Sequence, residues 1–255
     1  MIYLIINATA PLHSQPKAES ERVDEVLHGM VVTVEEEKGD WLYVETDYRY
    51  KGWLHCSNVA LAEERDEPQR YINTVAADVL EMPKVQARPL ICLTMGCVVG
   101  LSVSVGDCES PTGWSRVVLA DGREGYVRSV FLSEFPQNIS RVAICKTAKM
   151  YLNSQYRWGG KSPMGIDCSG LCFMAYYLNG MKIYRDAKIM PGFPIKEISL
   201  EAMQEADLLF FPGHVGMCLG DGTMLHSSES GNGVKVELLT PKWLDRVTAV
   251  GGISL

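Results

Sequence analysis

The sequence predicts an α+β protein in which two small β-barrels precede a larger domain that begins with helices and ends in antiparallel strands. Three observations carry that reading. A β-rich segment occurs twice in the N-terminal half. The pattern turns helical near residue 140. Short apolar runs separated by glycines then fill the C-terminal part.

The repeat sets the first two domains. Gly29 is followed by Val31-Val32-Thr33-Val34, Trp41-Leu42-Tyr43-Val44 and Gly52-Trp53-Leu54. Gly96 is followed by Val98-Val99, Trp114-Ser115-Arg116-Val117 and Gly125-Tyr126-Val127. Trp41 and Gly52 are as far apart as Trp114 and Gly125. Short β-rich runs broken by Gly, Pro and Asp at matched spacing read as one small barrel used twice. The charged stretch from Ala62 to Arg70, closed by Pro68, reads as a linker, and Glu134-Phe135-Pro136-Gln137-Asn138 marks the next boundary. The expected domains are residues 1–62, 71–134 and 138–255.

The third domain opens with helical apolar spacing over Arg141–Leu152, with Val142, Ile144, Cys145 and Ala148 on one side. Next come Gly159, Gly160, Pro163 and Gly165, then Asp167-Cys168-Ser169-Gly170, then an apolar run that stops at Gly180. This pattern delivers Cys168 from a loop to the first turn of a buried helix. A thiol there meets the positive end of the helix dipole and amides that lack helical partners. That setting favours a thiolate nucleophile. Cys172 shares the helix face and reads as packing. Leu208–Phe211, Val215–Leu219 and Met224–His226 read as strands, with Gly220-Asp221-Gly222 as a hairpin turn. His214 and His226 then share a face for any loop of odd length, as direct or diagonal neighbours. Either histidine alone reads as a satisfied structural residue. Beside Asp-Cys-Ser-Gly they read as the base and orienting residue of a cysteine hydrolase. His13, His28 and His55 have no such partner and read as surface or structural.

Bulk properties exclude other classes. The chain has 255 residues, 47% hydrophobic and 22% charged, which suffices for a substantial core. A net charge of -7 and a pI near 5.3 exclude a basic nucleic-acid footprint, and no run of Lys and Arg points to an anionic membrane. None of the eight cysteines forms a Cys-x-x-Cys pair, so neither a zinc ribbon nor a redox dithiol is expected. No segment reaches the ~20 apolar residues of a membrane span. Met1–Ile6 has no basic region and its apolar run is shorter than the ~7–15 residues of a signal peptide, so the expected location is cytoplasmic.

The ordered set Tyr156-x-Trp158-Gly159-Gly160, Asp167-Cys168-Ser169-Gly170, Asp207–Phe211, His214-Val215-Gly216-Met217 and His226 resembles the motifs of NlpC-type cell-wall cysteine peptidases. The resemblance covers roughly residues 140–255 and implies a papain-like fold. It implies cleavage of the γ-D-glutamyl–diamino acid bond of murein peptides, with Cys168 as nucleophile, His214 as general base, His226 as orienting residue and Tyr156 near the oxyanion. Ala206 stands where that family has glycine, and a glutamine usual after Arg185-Asp186 is missing. The N-terminal repeats resemble bacterial SH3-like domains. Together the two resemblances imply a monomeric enzyme that needs no metal or organic cofactor and acts on free L-Ala-γ-D-Glu-diamino acid peptides. In such enzymes the first barrel binds the free amine through an acid and a tyrosine. Tyr50 fits the tyrosine; Glu21, Asp24 and Glu25 all lie in the stretch for the acid, and Glu21 is taken. A buried ammonium needs a paired carboxylate, which rejects blocked N-termini. Asp167 and Ser169 are expected to complete the substrate contacts, and Arg185 and Asp186 lie in the expected substrate-facing loop. Two other readings compete: a cell-envelope hydrolase anchored to polymeric wall by its SH3-like domains, and an inactive peptide-binding module.

Overall fold

Alternation of apolar and polar residues builds the strands of the N-terminal half. In Trp41–Thr46, for example, Leu42, Val44 and Thr46 are buried while Trp41, Tyr43 and Glu45 are half-buried. A computed structural model of the chain describes residues 1–62, 66–102 and 113–253. Residues 63–65 of the expected linker and Cys108 lie outside the described residues. The chain divides into two units, Met1–Phe135 and Pro136–Leu255.

In the first unit, β1 (Ile2–Ile5), β2 (Thr9–His13), β3 (Arg22–Leu27), β4 (Val31–Lys38), β5 (Trp41–Thr46), β6 (Lys51–His55) and β7 (Val59–Leu61) form one antiparallel sheet. Its strand order is β3-β2-β6-β5-β4-β1-β7. A second sheet holds β8 (Gln69–Ile72), β9 (Ala77–Leu80), β10 (Pro89–Leu93), β11 (Val98–Leu101), β12 (Trp114–Val118), β13 (Glu124–Arg128) and β14 (Leu132–Ser133). Its order, β10-β9-β13-β12-β11-β8-β14, is that of the first sheet with every index raised by seven. The repeated glycines sit where strands press together. A Cβ at Gly125 would lie 2.6 Å from Val79 Cγ1, and one at Gly52 3.0 Å from Leu12 Cβ.

A buried histidine joins the two repeats. His28 is fully buried; its Nδ1–H donates to the Ile6 carbonyl at 2.9 Å, and its Nε2 accepts the Ala120 amide at 3.0 Å. The Val98 amide donates to the His28 carbonyl at 2.8 Å. His28 is thus structural. His13 and His55 flank Trp41 edge-on, with ring centroids 5.4 Å away on each side.

The second unit contains α1 (Arg141–Lys149), a small ribbon of β15 (Lys161–Ser162) and β16 (Gly165–Ile166), and α2 (Cys168–Tyr177). After these come β17 (Lys196–Ile198), β18 (Leu208–Phe211), β19 (His214–Cys218), β20 (Thr223–Ser228), β21 (Gly233–Leu238), α3 (Pro241–Leu244) and β22 (Ala249–Gly252). The six strands from β17 to β22 form one antiparallel sheet in the order β17-β22-β18-β19-β20-β21. α1 ends three residues before the expected Leu152 because the amides of Met150, Tyr151 and Leu152 turn back to carbonyls three residues earlier.

α2 is the central element. All of its residues except Ser169 are buried, as expected of a helix apolar on every side, and it packs against α1, β19 and β20. Beyond its last residue, Tyr177, the chain turns away at Gly180, where the Met181 amide reaches the Tyr176 carbonyl and the Gly180 amide reaches that of Tyr177. The motif aspartate Asp207 is fully buried and serves the scaffold. It accepts from Arg141 Nη1 at 2.5 Å, and Arg141 also donates to the carbonyls of Glu205 and Ile253 at 2.8 Å each. The preceding Ala206 is buried with φ of 68°. That left-handed backbone explains why glycine is usual at this position. Among the described residues no helix is long and apolar enough to cross a membrane.

Replacing His28 with Phe leaves a buried carbonyl and a buried amide unpaired, at a cost of about 2 kcal/mol. The expected result is faster hydrogen exchange at the Ala120 amide and a lower denaturation midpoint. Unchanged Ala120 protection would refute the bridging role.

Candidate active site

The start of α2 is built around Asp167. Its carboxylate caps the helix by accepting the Gly170 amide at 2.6 Å, and it takes the Gly159 amide at 2.8 Å. Arg185 Nη1 and Nη2 donate to its two oxygens at 3.0 and 2.9 Å, a bidentate fork in which the arginine is only 1% exposed. Arg185 also donates to Ser169 Oγ at 2.8 Å and to the Gly160 carbonyl at 3.3 Å. The glycines are what allow this closeness. A Cβ at Gly170 would lie 2.3 Å from the Gly160 carbonyl oxygen, and one at Gly160 the same distance from that of Gly165. Asp167 and Arg185, expected to touch substrate, are committed by these bonds to holding loop and helix together. Ser169 donates to Asp167 at 3.2 Å and remains half-buried beside the nucleophile.

Cys168 is the first residue of α2 and is 7% exposed. Its thiol lies against the backbone amide of Val215, the residue that follows His214 on β19. Burial, then the charge of Asp167, push the thiol up to about 11, against weaker opposition from the Val215 and Ser169 amides and Arg185. The sequence expectation of a resting thiolate is therefore corrected. Desolvation outweighs the donors gathered at the helix start, and Asp167, which makes the helix start rigid, is also an anion beside the sulfur.

β19 and β20 pair Met217 with Leu225 and Cys218 with Met224, and the Leu219 amide closes on the Thr223 carbonyl at 3.0 Å. The turn is thus the three residues Gly220-Asp221-Gly222, an odd loop. His214 and His226 fall on one face as diagonal neighbours, with His214 Nε2 2.8 Å from His226 Nδ1. Burial, then the neighbouring His226 and Arg246, hold His214 down at about 4. Burial also lowers His226, while Glu237 opposes that shift. Both imidazoles are therefore neutral near pH 7.

Sequence reasoning missed two residues at this pair. Glu237 on β21 places Oε2 3.4 Å from His226 Nε2, and Trp243 Nε1 on α3 donates to the same oxygen at 3.1 Å. The Trp243 ring stands edge-on to His226 at 5.5 Å and to Phe211 at 5.2 Å. The signal was present but weak. Lys235 and Glu237 alternate with Val234 and Val236, and β21 pairs Lys235 opposite His226. That register puts Glu237 on the histidine face.

Tyr156 is half-buried beside Ile166, and burial, then the charge that Cys168 would carry, push its phenol well above the usual value. Asp186 and Ser169 line a pocket whose walls include Ile183, Phe193, Phe210 and Val215. Tyr50 and Glu21 belong to the first unit. Tyr50 is half-buried and donates to the Val23 carbonyl at 3.3 Å, while Glu21 is exposed just before β3. The other acids of that stretch are buried; Asp24 accepts from the Tyr48 hydroxyl at 2.6 Å, and Glu25 is 3% exposed. Among the described residues no group of three or more His, Cys, Asp or Glu side chains could hold a metal ion. The described cysteines are all free thiols.

Known proteins resemble this chain in sequence and in fold. The NlpC/P60 family model matches residues 153–251 and the bacterial SH3 domain model residues 8–60. Dipeptidyl-peptidase 6 of Lysinibacillus sphaericus is 44% identical over 248 residues, 92% of this chain and 91% of that protein. Gamma-D-glutamyl-L-lysine dipeptidyl-peptidase of Bacillus cereus is 27% identical over 87% of this chain and 72% of its own length. The crystal structure of an NlpC/P60 family protein from Bacillus cereus shares the fold, with a TM-score of 0.84 over 98% of both chains at 22% identity.

Two outcomes are expected. Replacing Arg185 with Leu strands a buried carboxylate and destabilises the second unit by about 3 kcal/mol, read from its denaturation midpoint. A change below about 0.5 kcal/mol would show the pair to be idle. Second, His214 and His226 bind protons more weakly folded than unfolded. Stability is therefore present above the unfolded histidine value near 6.5 and is lost as pH falls toward 4. Melting temperatures of wild type and His214→Gln measured across that range should converge on acidification; parallel curves would contradict the shift.

Proposed function

The chain belongs to the NlpC/P60 family, and we propose that it is a cysteine peptidase that hydrolyses the γ-D-glutamyl–diamino acid bond of free murein peptides, releasing L-Ala-γ-D-Glu. The observation that carries this reading is the 2.8 Å contact between His214 and His226 on the strand whose Val215 amide meets the Cys168 thiol. Extended similarity to proteins named dipeptidyl-peptidases supports the bond and the release of a dipeptide.

The chemistry follows from neutral resting partners. His214 Nε2 is taken up by His226, so Nδ1 is the nitrogen that receives the Cys168 proton as the sulfur attacks the γ-carbonyl carbon. The first amides of α2 and the Tyr156 hydroxyl stabilise the tetrahedral oxyanion. The His214 imidazolium then protonates the leaving amine as the carbon–nitrogen bond breaks, which leaves a thioester on Cys168. Water adds to that thioester with its proton going to His214, and collapse restores the thiol and frees the γ-carboxylate. The pocket beside Ser169 is lined by both Asp186 and Lys188, so it presents charges of both signs to a short peptide. On the family resemblance, Glu21 and Tyr50 of the first barrel are the residues proposed for a free amine. A cytoplasmic site of action, in recycling of wall fragments, completes the reading.

The test is a mass-spectrometric digest of L-Ala-γ-D-Glu-meso-diaminopimelate beside its N-acetylated form, with wild type and Cys168→Ala. We expect wild type to cleave the free peptide at least tenfold faster than the acetylated one, and Cys168→Ala to cleave neither. Equal cleavage of both peptides would move the protein to polymeric wall. Cleavage by Cys168→Ala would remove the mechanism.

A further inference from the structure

We propose that Glu237 is a positioning residue that, with Trp243, fixes the tautomer of His226 and so keeps His214 the right way round to act on Cys168. The inference rests on Cys168 and His214 being nucleophile and base.

His226 Nε2 is buried, lacks a hydrogen bond of good geometry, and faces Glu237 Oε2 at 3.4 Å. A carboxylate only accepts, so the nitrogen facing it must carry the proton. A neutral imidazole has one such proton, and His226 is neutral near pH 7. His226 Nδ1 is therefore an acceptor. Its neighbour at 2.8 Å, His214 Nε2, must be the donor. The one proton of neutral His214 is then on Nε2, and its Nδ1 holds the lone pair the reaction needs. With a hydrophobic residue at 237, nothing would favour the Nε2–H form of His226. The Nδ1–H form would turn the contact around and place the His214 proton on Nδ1, where it blocks proton uptake from the thiol.

Glu237 is itself held in place. Trp243 Nε1 donates to the oxygen that faces His226, and Lys235 Nζ pairs with the other. Trp243 covers both rings, edge-on to His226 and tilted against His214 at 6.4 Å. The charged groups that bear on the two histidines are Glu237 and Lys235 from β21 and Arg246 just past α3. Glu237 alone of these raises the proton affinity of both rings, while Lys235 lowers His226 and Arg246 lowers His214. As the His214 imidazolium forms, the carboxylate two rings away is the charge that stabilises it.

Tautomers can be read directly. The chain has five histidines, so nitrogen-15 spectra of protein labelled at histidine contain few imidazoles, and His226→Gln assigns its signals. Wild type should show His226 as the Nε2–H form and His214 likewise; His226 as the Nδ1–H form overturns the proposal before any substitution at 237. In kinetics on the free tripeptide, Glu237→Leu should lower kcat about tenfold or more with KM within about twofold. Glu237→Gln keeps an acceptor and loses the charge. It should preserve the His226 tautomer, recover much of kcat, and move the pH-profile limb that reports His214 to lower pH. Wild-type kcat and an unmoved limb in Glu237→Gln and Glu237→Leu would overturn it. Cys168→Ala in the same assay separates the two failures: activity there removes the nucleophile assignment, whereas an inactive Cys168→Ala with unaffected Glu237 variants removes only the role of Glu237. If Glu237→Leu does not fold, the wild-type spectrum and Glu237→Gln decide.

Discussion

The bidentate pair between Asp167 and Arg185 is the constraint on which the site depends. It lies in the interior, where an unpaired carboxylate would cost several kcal/mol, and it ties together three parts of the chain: the glycine loop, the first turn of α2 and the segment after α2. Because Asp167 immediately precedes Cys168, every bond that fixes the carboxylate also fixes the sulfur. The glycines at 160 and 170 follow from the same constraint, since a Cβ at either would lie 2.3 Å from a backbone carbonyl oxygen. The motif Asp-Cys-Ser-Gly therefore describes one joint: the cap, the nucleophile, a hydroxyl that accepts from Arg185, and the space that lets them meet.

That joint has an electrostatic consequence. The carboxylate that organises the helix start is also an anion beside the thiol, and it adds to burial in favouring the neutral sulfur. His214 is likewise kept neutral by burial and by its histidine neighbour. A neutral pair suits a buried site because no separated charge has to be held at rest in low dielectric. Charge appears only as the bond to substrate forms. In the proposed mechanism the groups that would stabilise it are the α2 amides at the sulfur and oxyanion, and the His226–Glu237 chain at the imidazolium.

How much of this was legible in the sequence varies with the distance over which each signal acts. The repeat was legible because matched Trp and Gly spacing reports local strand geometry, and the two sheets indeed share one strand order. The histidine pair was legible because parity along a hairpin needs only an odd turn, and Gly220-Asp221-Gly222 supplies one. The extent of α2 was marked by Asp167 and Gly180 at its two ends. The protonation state of Cys168 was not legible. Sequence displays the helix start but not the depth of burial, and burial decides the sign. Glu237 was missed for a related reason. Its role depends on the register of β21 and on Trp243 arriving from α3, and neither is visible in a run of alternating Val, Lys and Glu. Ala206 marks an intermediate case. The departure from glycine was visible in the sequence, but only a φ of 68° shows that the position asks for a left-handed backbone.

The two buried acidic anchors of the second unit divide its work. Asp207 with Arg141 secures the first helix to the sheet, and Asp167 with Arg185 secures the start of α2. Both are motif positions, and both carboxylates are consumed by the scaffold. An acid adjacent to a catalytic cysteine invites assignment to substrate, yet each oxygen of Asp167 already accepts a backbone amide and an arginine nitrogen. A buried carboxylate so saturated has little left to offer a ligand. Its bonds therefore describe a carboxylate that holds the first turn of α2 to the glycine loop and to Arg185.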